Sequence, residues 1–147
     1  MKIYVLNGPN LNLLGIREPE VYGTGTYEEL CSKIRFYAEE KDIETEIYQT
    51  NHEGELLDLI HKAFHEGADG IVMNPAAYTH TSIALLDAVK SVSIPTVEVH
   101  ISDPTTREEF RRQSFVRAAC VATVAGKGFD GYIEAIKIIE NLVGSEG

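Results

Sequence analysis

The chain has 147 residues, the size of one ordinary domain, and at that length a single core can bury roughly 68–70% of the unfolded surface. Hydrophobic residues at 44% and charged residues at 24% exclude disorder for the bulk of it. A net charge of −10 disfavours nucleic acid and anionic lipid as partners, so an anionic substrate would need a local cluster of Arg.

The opening run Lys2-Ile3-Tyr4-Val5-Leu6 is apolar and β-branched and stops at Asn7-Gly8-Pro9-Asn10, which predicts a buried strand ending in a turn. A loop of about fifteen residues follows, with Gly15, Pro19, Gly23 and Gly25; loops that long tend to be functional. Thr26-Tyr27-Glu28-Glu29 is a capping box, and Leu30, Ile34, Tyr37 and Ala38 make a helical stripe behind it. Residues 43–49 alternate as a strand does. Leu56, Leu57, Ile60, Ala63 and Phe64 predict a helix closed by Gly67. Gly70-Ile71-Val72-Met73 is a buried strand stopping at Asn74-Pro75, and Ile83, Leu86, Ala88 and Val89 mark a helix beginning near residues 79–81. Residues 96–101 form a fourth strand, residues 107–112 a short charged helix, and residues 119–125 a fifth strand. A last helix over 129–143 carries Ile133, Ile136, Ile139 and Leu142.

Strands alternating with helices predict a doubly wound α/β sheet of five parallel strands, one domain over residues 1–147. The alternation does not fix strand order; flavodoxin-like 2-1-3-4-5 is the commonest arrangement at this size. In such sheets ligands bind at the carboxyl ends of the strands. That rule singles out Asn7 to Asn10, Asn74 to His80, and His100 to Asp103. Three loops thus bring Asn10, Arg17 and Tyr22, then Asn74, His80 and Ser82, then His100, Ser102, Arg107, Arg111 and Arg112 toward one rim. Asn, Ser and Thr there can be turn and helix caps, but caps do not account for two His and several Arg. The set suits a small polyhydroxylated carboxylate.

Other chemistries find little support. Gly23-Thr24-Gly25 lacks the third Gly of a dinucleotide site, and Gly126-Lys127-Gly128 lacks P-loop spacing. His61 and His65 stand four apart without the Glu of a metalloprotease and read as a solvated helix face. Ser82 has no nucleophile-elbow glycines. Cys31 and Cys120 form no disulfide framework and read as packing residues, and His52 has no partner that the sequence identifies. No apolar run reaches the roughly 18 residues of a membrane span, and Met1-Lys2 leads straight into a strand, so a soluble, cytoplasmic protein is expected. Acid–base work by Tyr, His and Arg remains. A phenol with an ordinary pKa near 10 is a poor base at neutral pH, but a guanidinium beside it favours the phenolate. Arg17 shares a loop with Tyr22, and His100 at a strand end is the opposing acid. Tyr22 as a loop anchor is an equally good reading of the residues alone.

Five collinear motifs resemble the type II 3-dehydroquinate dehydratases. They are Asn7-Gly8-Pro9-Asn10-Leu11, Arg17-Glu18-Pro19-Glu20-Val21-Tyr22-Gly23, Asn74-Pro75-Ala76-Ala77-Tyr78-Thr79-His80-Thr81-Ser82, Glu98-Val99-His100-Ile101-Ser102 and Arg107-Glu108-Glu109-Phe110-Arg111-Arg112. The resemblance covers essentially the whole chain. It implies a flavodoxin-like fold and reversible, cofactor-free dehydration of 3-dehydroquinate to 3-dehydroshikimate, a step of the shikimate pathway toward aromatic amino acids. It implies an anti elimination through an enolate, with Tyr22 as the base, Arg17 favouring its ionised form, His100 as general acid and Asn10 holding a water or the enolate oxygen. Asn74, His80 and Arg111 would bind ring hydroxyls, and the Ile101 and Ser102 backbone with the Ser102 hydroxyl would take the carboxylate. Arg107 and Glu98 would orient this set from behind. Asp87 would reach a neighbouring subunit's site, in a homododecamer built of four trimers. Residues 13–24 would close as a lid.

Asp103 stands where the family often has Asn; a charge there opposes carboxylate binding unless Asp103 points at an Arg or caps a helix beginning near Thr105, and the cap is the preferred reading. A flavin-binding module would need a Ser/Thr-rich phosphate loop after the first strand, which Gly8 to Leu13 does not supply. A catalytically dead relative would lack one of Tyr22, Arg17 or His100, and all three are present. A Schiff-base route needs a lysine in the crevice, whereas Lys33, Lys62, Lys90 and Lys137 fall on predicted helices.

Overall fold

A strand covered on both faces must be apolar on both, and β1 (Lys2–Asn7) is. Alternation sends Ile3 and Val5 into one hydrophobic cluster and Tyr4 and Leu6 into another, all four without solvent exposure. A computed structural model describes residues 1–16 and 18–146. The strands β1, β2 (Glu44–Gln49), β3 (Gly70–Asn74), β4 (Thr96–His100) and β5 (Ala122–Ala125) form one parallel sheet ordered β2-β1-β3-β4-β5. This is the flavodoxin-like arrangement expected from the sequence.

The first cluster joins the sheet to α2 (Tyr27–Glu40) and α5 (Asp130–Glu146) through Leu30, Ile34, Tyr132, Ile136 and Ile139. On the other face, α3 (Glu53–His65) and α4 (Ile83–Val92) bury Leu56, Ile60, Leu85 and Val89. Thr26 caps α2 as its motif requires, its side chain accepting from Glu29 N at 3.1 Å. Gly67 takes φ +70° after α3, and Ala68 N bonds back to Ala63 O at 2.9 Å.

Three local expectations change. Phe64 is 53% exposed, because Leu56, Ile60 and Ala63 already occupy the inward face of α3. In α4 the inward residues are Leu85, Ala88, Val89 and Val92 rather than Ile83 and Leu86. There Ser82 is the cap, its Oγ accepting from Leu85 N at 3.0 Å, while Thr79 and His80 belong to a preceding 3-10 turn, Ala76–His80, and Thr81 closes that turn. The cap sets the helical phase, which apolar spacing alone left open by one turn. Finally, β4 and β5 are joined by 3-10 turns (Pro104–Thr106, Glu109–Arg111, Val116–Ala119) instead of a charged helix. The stretch 107–112 has no apolar stripe to pack: Phe110 is 65% exposed, and β5 starts only at Ala122.

The loops after β1 and β3 are pressed together. Gly8 N donates to Asn74 O at 2.8 Å, and a Cβ on Gly8 would lie 2.4 Å from the Pro75 carbonyl oxygen. Only glycine permits that approach.

Candidate active site

The carboxyl ends of β1, β3 and β4 open onto one cleft. The loop after β1 contributes Pro9, Asn10 and Leu11; the short helix α1 (Pro19–Tyr22) contributes Tyr22. Beyond β3 come Asn74, Ala76, Ala77 and His80, and beyond β4 come His100, Ile101, Ser102, Pro104, Arg107 and Arg111. Eight of the ten expected site residues therefore share one cleft. Arg17 lies outside the described residues. Asp87 sits on the exposed side of α4 and is not among the lining residues. Among the described residues no three His, Cys, Asp or Glu gather as a metal-ligand set.

The β1 and β3 loops are held in uncommon backbone conformations. Asn10 has φ 70° and Ala76 φ 54°; Asn visits this left-handed region readily, whereas for Ala it costs about 1–2 kcal/mol. Tethers hold both in place. Asn10 N donates to Asn51 Oδ1 at 3.1 Å, and Ala76 N donates to Asn74 Oδ1 at 3.1 Å. Asn74 is fixed in turn by Tyr132, whose hydroxyl accepts from Asn74 Nδ2 at 2.9 Å and donates to Asn7 Oδ1 at 2.7 Å. Burial pushes the Tyr132 phenol well above its ordinary range, so it stays a neutral relay beneath the cleft. These bonds use one Nδ2 proton of Asn74, and a primary amide has two.

Tyr22 lies half-buried against Arg107. Arg107 Nη1 donates to Tyr22 Oη at 2.8 Å, its guanidinium carbon sits 5.2 Å from the ring centroid, and Nη2 is 3.8 Å from Glu18 Oε2. A cation at that distance stabilises negative charge on a phenolic oxygen.

His100, 7% exposed, is held by Glu98, whose Oε2 lies 2.5 Å from Nε2. Burial by itself would raise the Glu98 carboxyl. Hydrogen bonds from His100 and Arg117 outweigh it and hold the group at about 2, so Glu98 is ionised at neutral pH. His80 bonds the Gln113 carbonyl through Nδ1 at 2.7 Å. A carbonyl only accepts, so Nδ1 carries the proton and Nε2 is the acceptor nitrogen. Burial lowers the His80 pKa against the opposing pull of that carbonyl. Arg111 pairs with Glu108 at 2.7 Å. Asp103 caps the turn before Arg107, accepting from Thr105 N at 3.0 Å and from Thr105 Oγ1 at 2.7 Å. These bonds hold its carboxyl below the usual range.

The sequence matches the family described as Dehydroquinase class II over residues 1–140. The chain belongs to that family. A 3-dehydroquinate dehydratase of Clostridium acetobutylicum is 52% identical over 143 residues, covering 97% of this chain and 99% of the relative. Among solved structures, a type II dehydroquinase from Butyrivibrio crossotus superposes with a TM-score of 0.94 at 52% identity, covering 95% of this chain and 97% of that one. One from Propionibacterium acnes gives 0.88 at 41% identity, covering 97% and 95%.

In this class II dehydroquinase several supporting groups escaped sequence reasoning. Asn51 and Gln49 brace the β1 loop, Gln49 Nε2 donating to Gly8 O and to Asn51 Oδ1, both at 3.1 Å. Tyr132, Ser114 and Arg117 act from distant segments. The one signal for the last two was Glu98 itself, a charge inside an otherwise apolar strand that must find partners.

Proposed function

We propose that the chain dehydrates 3-dehydroquinate to 3-dehydroshikimate, the shikimate-pathway step named by its family resemblance. The observation that carries this reading is the convergence of a guanidinium-bound phenol and a carboxylate-held imidazole on one cleft otherwise lined by amide, hydroxyl, imidazole and Arg groups. Tyr22 acts as general base, taking the proton beside the ketone, with Arg107 stabilising the phenolate. Arg17 is the second cation assigned to that role by the motif. His100, held through Nε2, hands a proton from Nδ1 to the departing hydroxyl, giving an elimination through an enolate. Asn10 holds the enolate oxygen or a bridging water. Asn74, His80 and Arg111 bind ring hydroxyls: one amide N–H, one imidazole acceptor and one guanidinium are suitable partners for them. Ser102, with the Ile101 and Ser102 backbone amides, takes the substrate carboxylate.

The lining has no lysine among the described residues, which supports an enolate over a Schiff base. Residues 13–24 act as the lid, and the protein assembles as a dodecamer of four trimers in which Asp87 completes a neighbour's site. The whole is a cytoplasmic enzyme working without a cofactor.

The test is an ultraviolet assay with 3-dehydroquinate that follows the conjugated enone, run on the parent and on Tyr22→Phe. The parent should turn over and the variant lose about 10²-fold or more in kcat. A variant near full rate makes Tyr22 an anchor; a silent parent means the fold has come without the activity.

A further inference from the structure

The β4 strand buries a carboxylate completely, between Val97 and Val99, which pack on the opposite face. Four side chains converge on its two oxygens. Arg117 donates from Nε to Glu98 Oε1 at 3.0 Å and from Nη2 to Oε2 at 3.1 Å. Ser114 Oγ donates to Oε2 at 2.9 Å and Thr123 Oγ1 to Oε1 at 3.3 Å. His100 Nε2 meets Oε2. Arg117 does not line the cleft, and its side chain keeps 40% of its exposure.

We propose that Arg117 is a positioning residue for the dehydration, gripping Glu98 at two points so that Glu98 fixes the ring plane of His100 and keeps Nε2 as its donor to Glu98, leaving Nδ1 for the departing hydroxyl. The proposal rests on the functional reading above, in which His100 is the general acid. The physical case is geometric. The terminal torsion of a glutamate is broad, so a carboxylate left with only the single-point contacts of Ser114, Thr123 and His100 can still swing and take the imidazole with it. A planar guanidinium bonded to both oxygens fixes the carboxylate plane, which a lysine ammonium does not. Arg117 also shares the negative charge of Glu98, so the imidazole is not held by an uncompensated carboxylate. A proton bound too firmly is given up slowly, and an acid is most useful when it is neither too weak nor already spent.

Other groups act on this pair from neighbouring elements. The Cys120 thiol stands near Glu98 and is kept neutral by burial, which pushes it up to about 12. His80 and Asp103 interact with His100, and Arg111 with His80. All remain in an Arg117 variant, so a difference from the parent isolates the guanidinium.

The experiment measures kcat and KM for 3-dehydroquinate across pH, together with urea unfolding, for the parent, Arg117→Met and Arg117→Lys. In Arg117→Met, kcat should fall about 10-fold, part of what a well-held general acid supplies, with KM little changed. The alkaline limb of its kcat profile should move to higher pH, because Glu98, its charge no longer shared with a guanidinium, favours the imidazolium form of the ring more strongly. Arg117→Lys should return the limb toward the parent while recovering only part of kcat. If Arg117→Met loses stability but keeps the parent's kcat and pH profile, Arg117 merely offsets a buried charge and the proposal fails. An Arg117→Lys enzyme matching the parent in both overturns the two-point grip, and this variant decides the matter if Arg117→Met does not fold. A parent inactive on 3-dehydroquinate overturns the functional reading instead. The grip is then tested by nitrogen NMR of histidine-labelled protein, where the His100 ring should titrate at higher pH in Arg117→Met; coincident curves refute it.

Discussion

Replacing Glu98 with Gln keeps the shape of the side chain and removes its charge, a perturbation whose size follows from the structure. The folded carboxyl is held at about 2 against an ordinary 4.5. At 1.36 kcal/mol per decade, that gap contributes about 3 kcal/mol of stability at neutral pH. The folded value lies below the unfolded one, so as pH falls the unfolded chain takes up the proton first. The contribution is therefore complete above about pH 5 and drains away toward pH 2, with about 2 kcal/mol gone by pH 3. Glu98→Gln has nothing to lose over that range. Its deficit should be about 3 kcal/mol at pH 7, close to the lower end for breaking a buried pair, since Arg117 stays partly hydrated. The deficit should shrink to about 1 kcal/mol at pH 3. Urea unfolding of both proteins at several pH values reads this directly, the remaining carboxylates being common to both. A deficit constant from pH 7 to pH 3 would show that Glu98 is not held ionised by its partners, and the electrostatic account of the His100 pair would fall with it.

Two further substitutions probe the scaffold of the cleft. Tyr132→Phe deletes the hydroxyl that joins Asn74 to Asn7, leaving buried amide groups unpaired; it should cost about 1–3 kcal/mol in chemical unfolding and raise KM through the loosened Asn74. Unchanged stability would mean that water or a repacked amide takes the place of the hydroxyl. Gly8→Ala puts a Cβ 2.4 Å from the Pro75 carbonyl oxygen, so the β1 and β3 loops must separate. Turnover should fall sharply together with the melting temperature, and a variant with parental values of both would refute the tight approach.

Much of the architecture was legible because it is written in local periodicity. Apolar runs in β1 and β3, and in β4 an apolar run broken by Glu98, mark strands covered on both faces, and Thr26 and Gly67 punctuate helices as capping chemistry requires. The turns after three such strands direct attention to Asn10, Asn74, His80, His100 and Ser102, and the cleft contains all five. Where periodicity was weak, reading failed. The charged stretch after β4 has no buried stripe to impose a helix, and the phase of α4 depended on which of several hydroxyl residues served as its cap.

By itself, then, the sequence determined the order of the strands and long helices along the chain, the rim that would carry chemistry, and the motifs of a dehydroquinase. Tertiary structure alone decided the partners. Arg107 meets Tyr22 across 85 positions, Tyr132 meets Asn7 across 125, and Arg117 meets Glu98 across 19. Local preference is set by neighbours along the chain, whereas these bonds form only once the parallel sheet has brought its loops to one edge. The direction of the pKa shift at Glu98 follows from His100, two residues along the same strand, and from the distant Arg117, which together outweigh burial, which alone would have pushed it the other way.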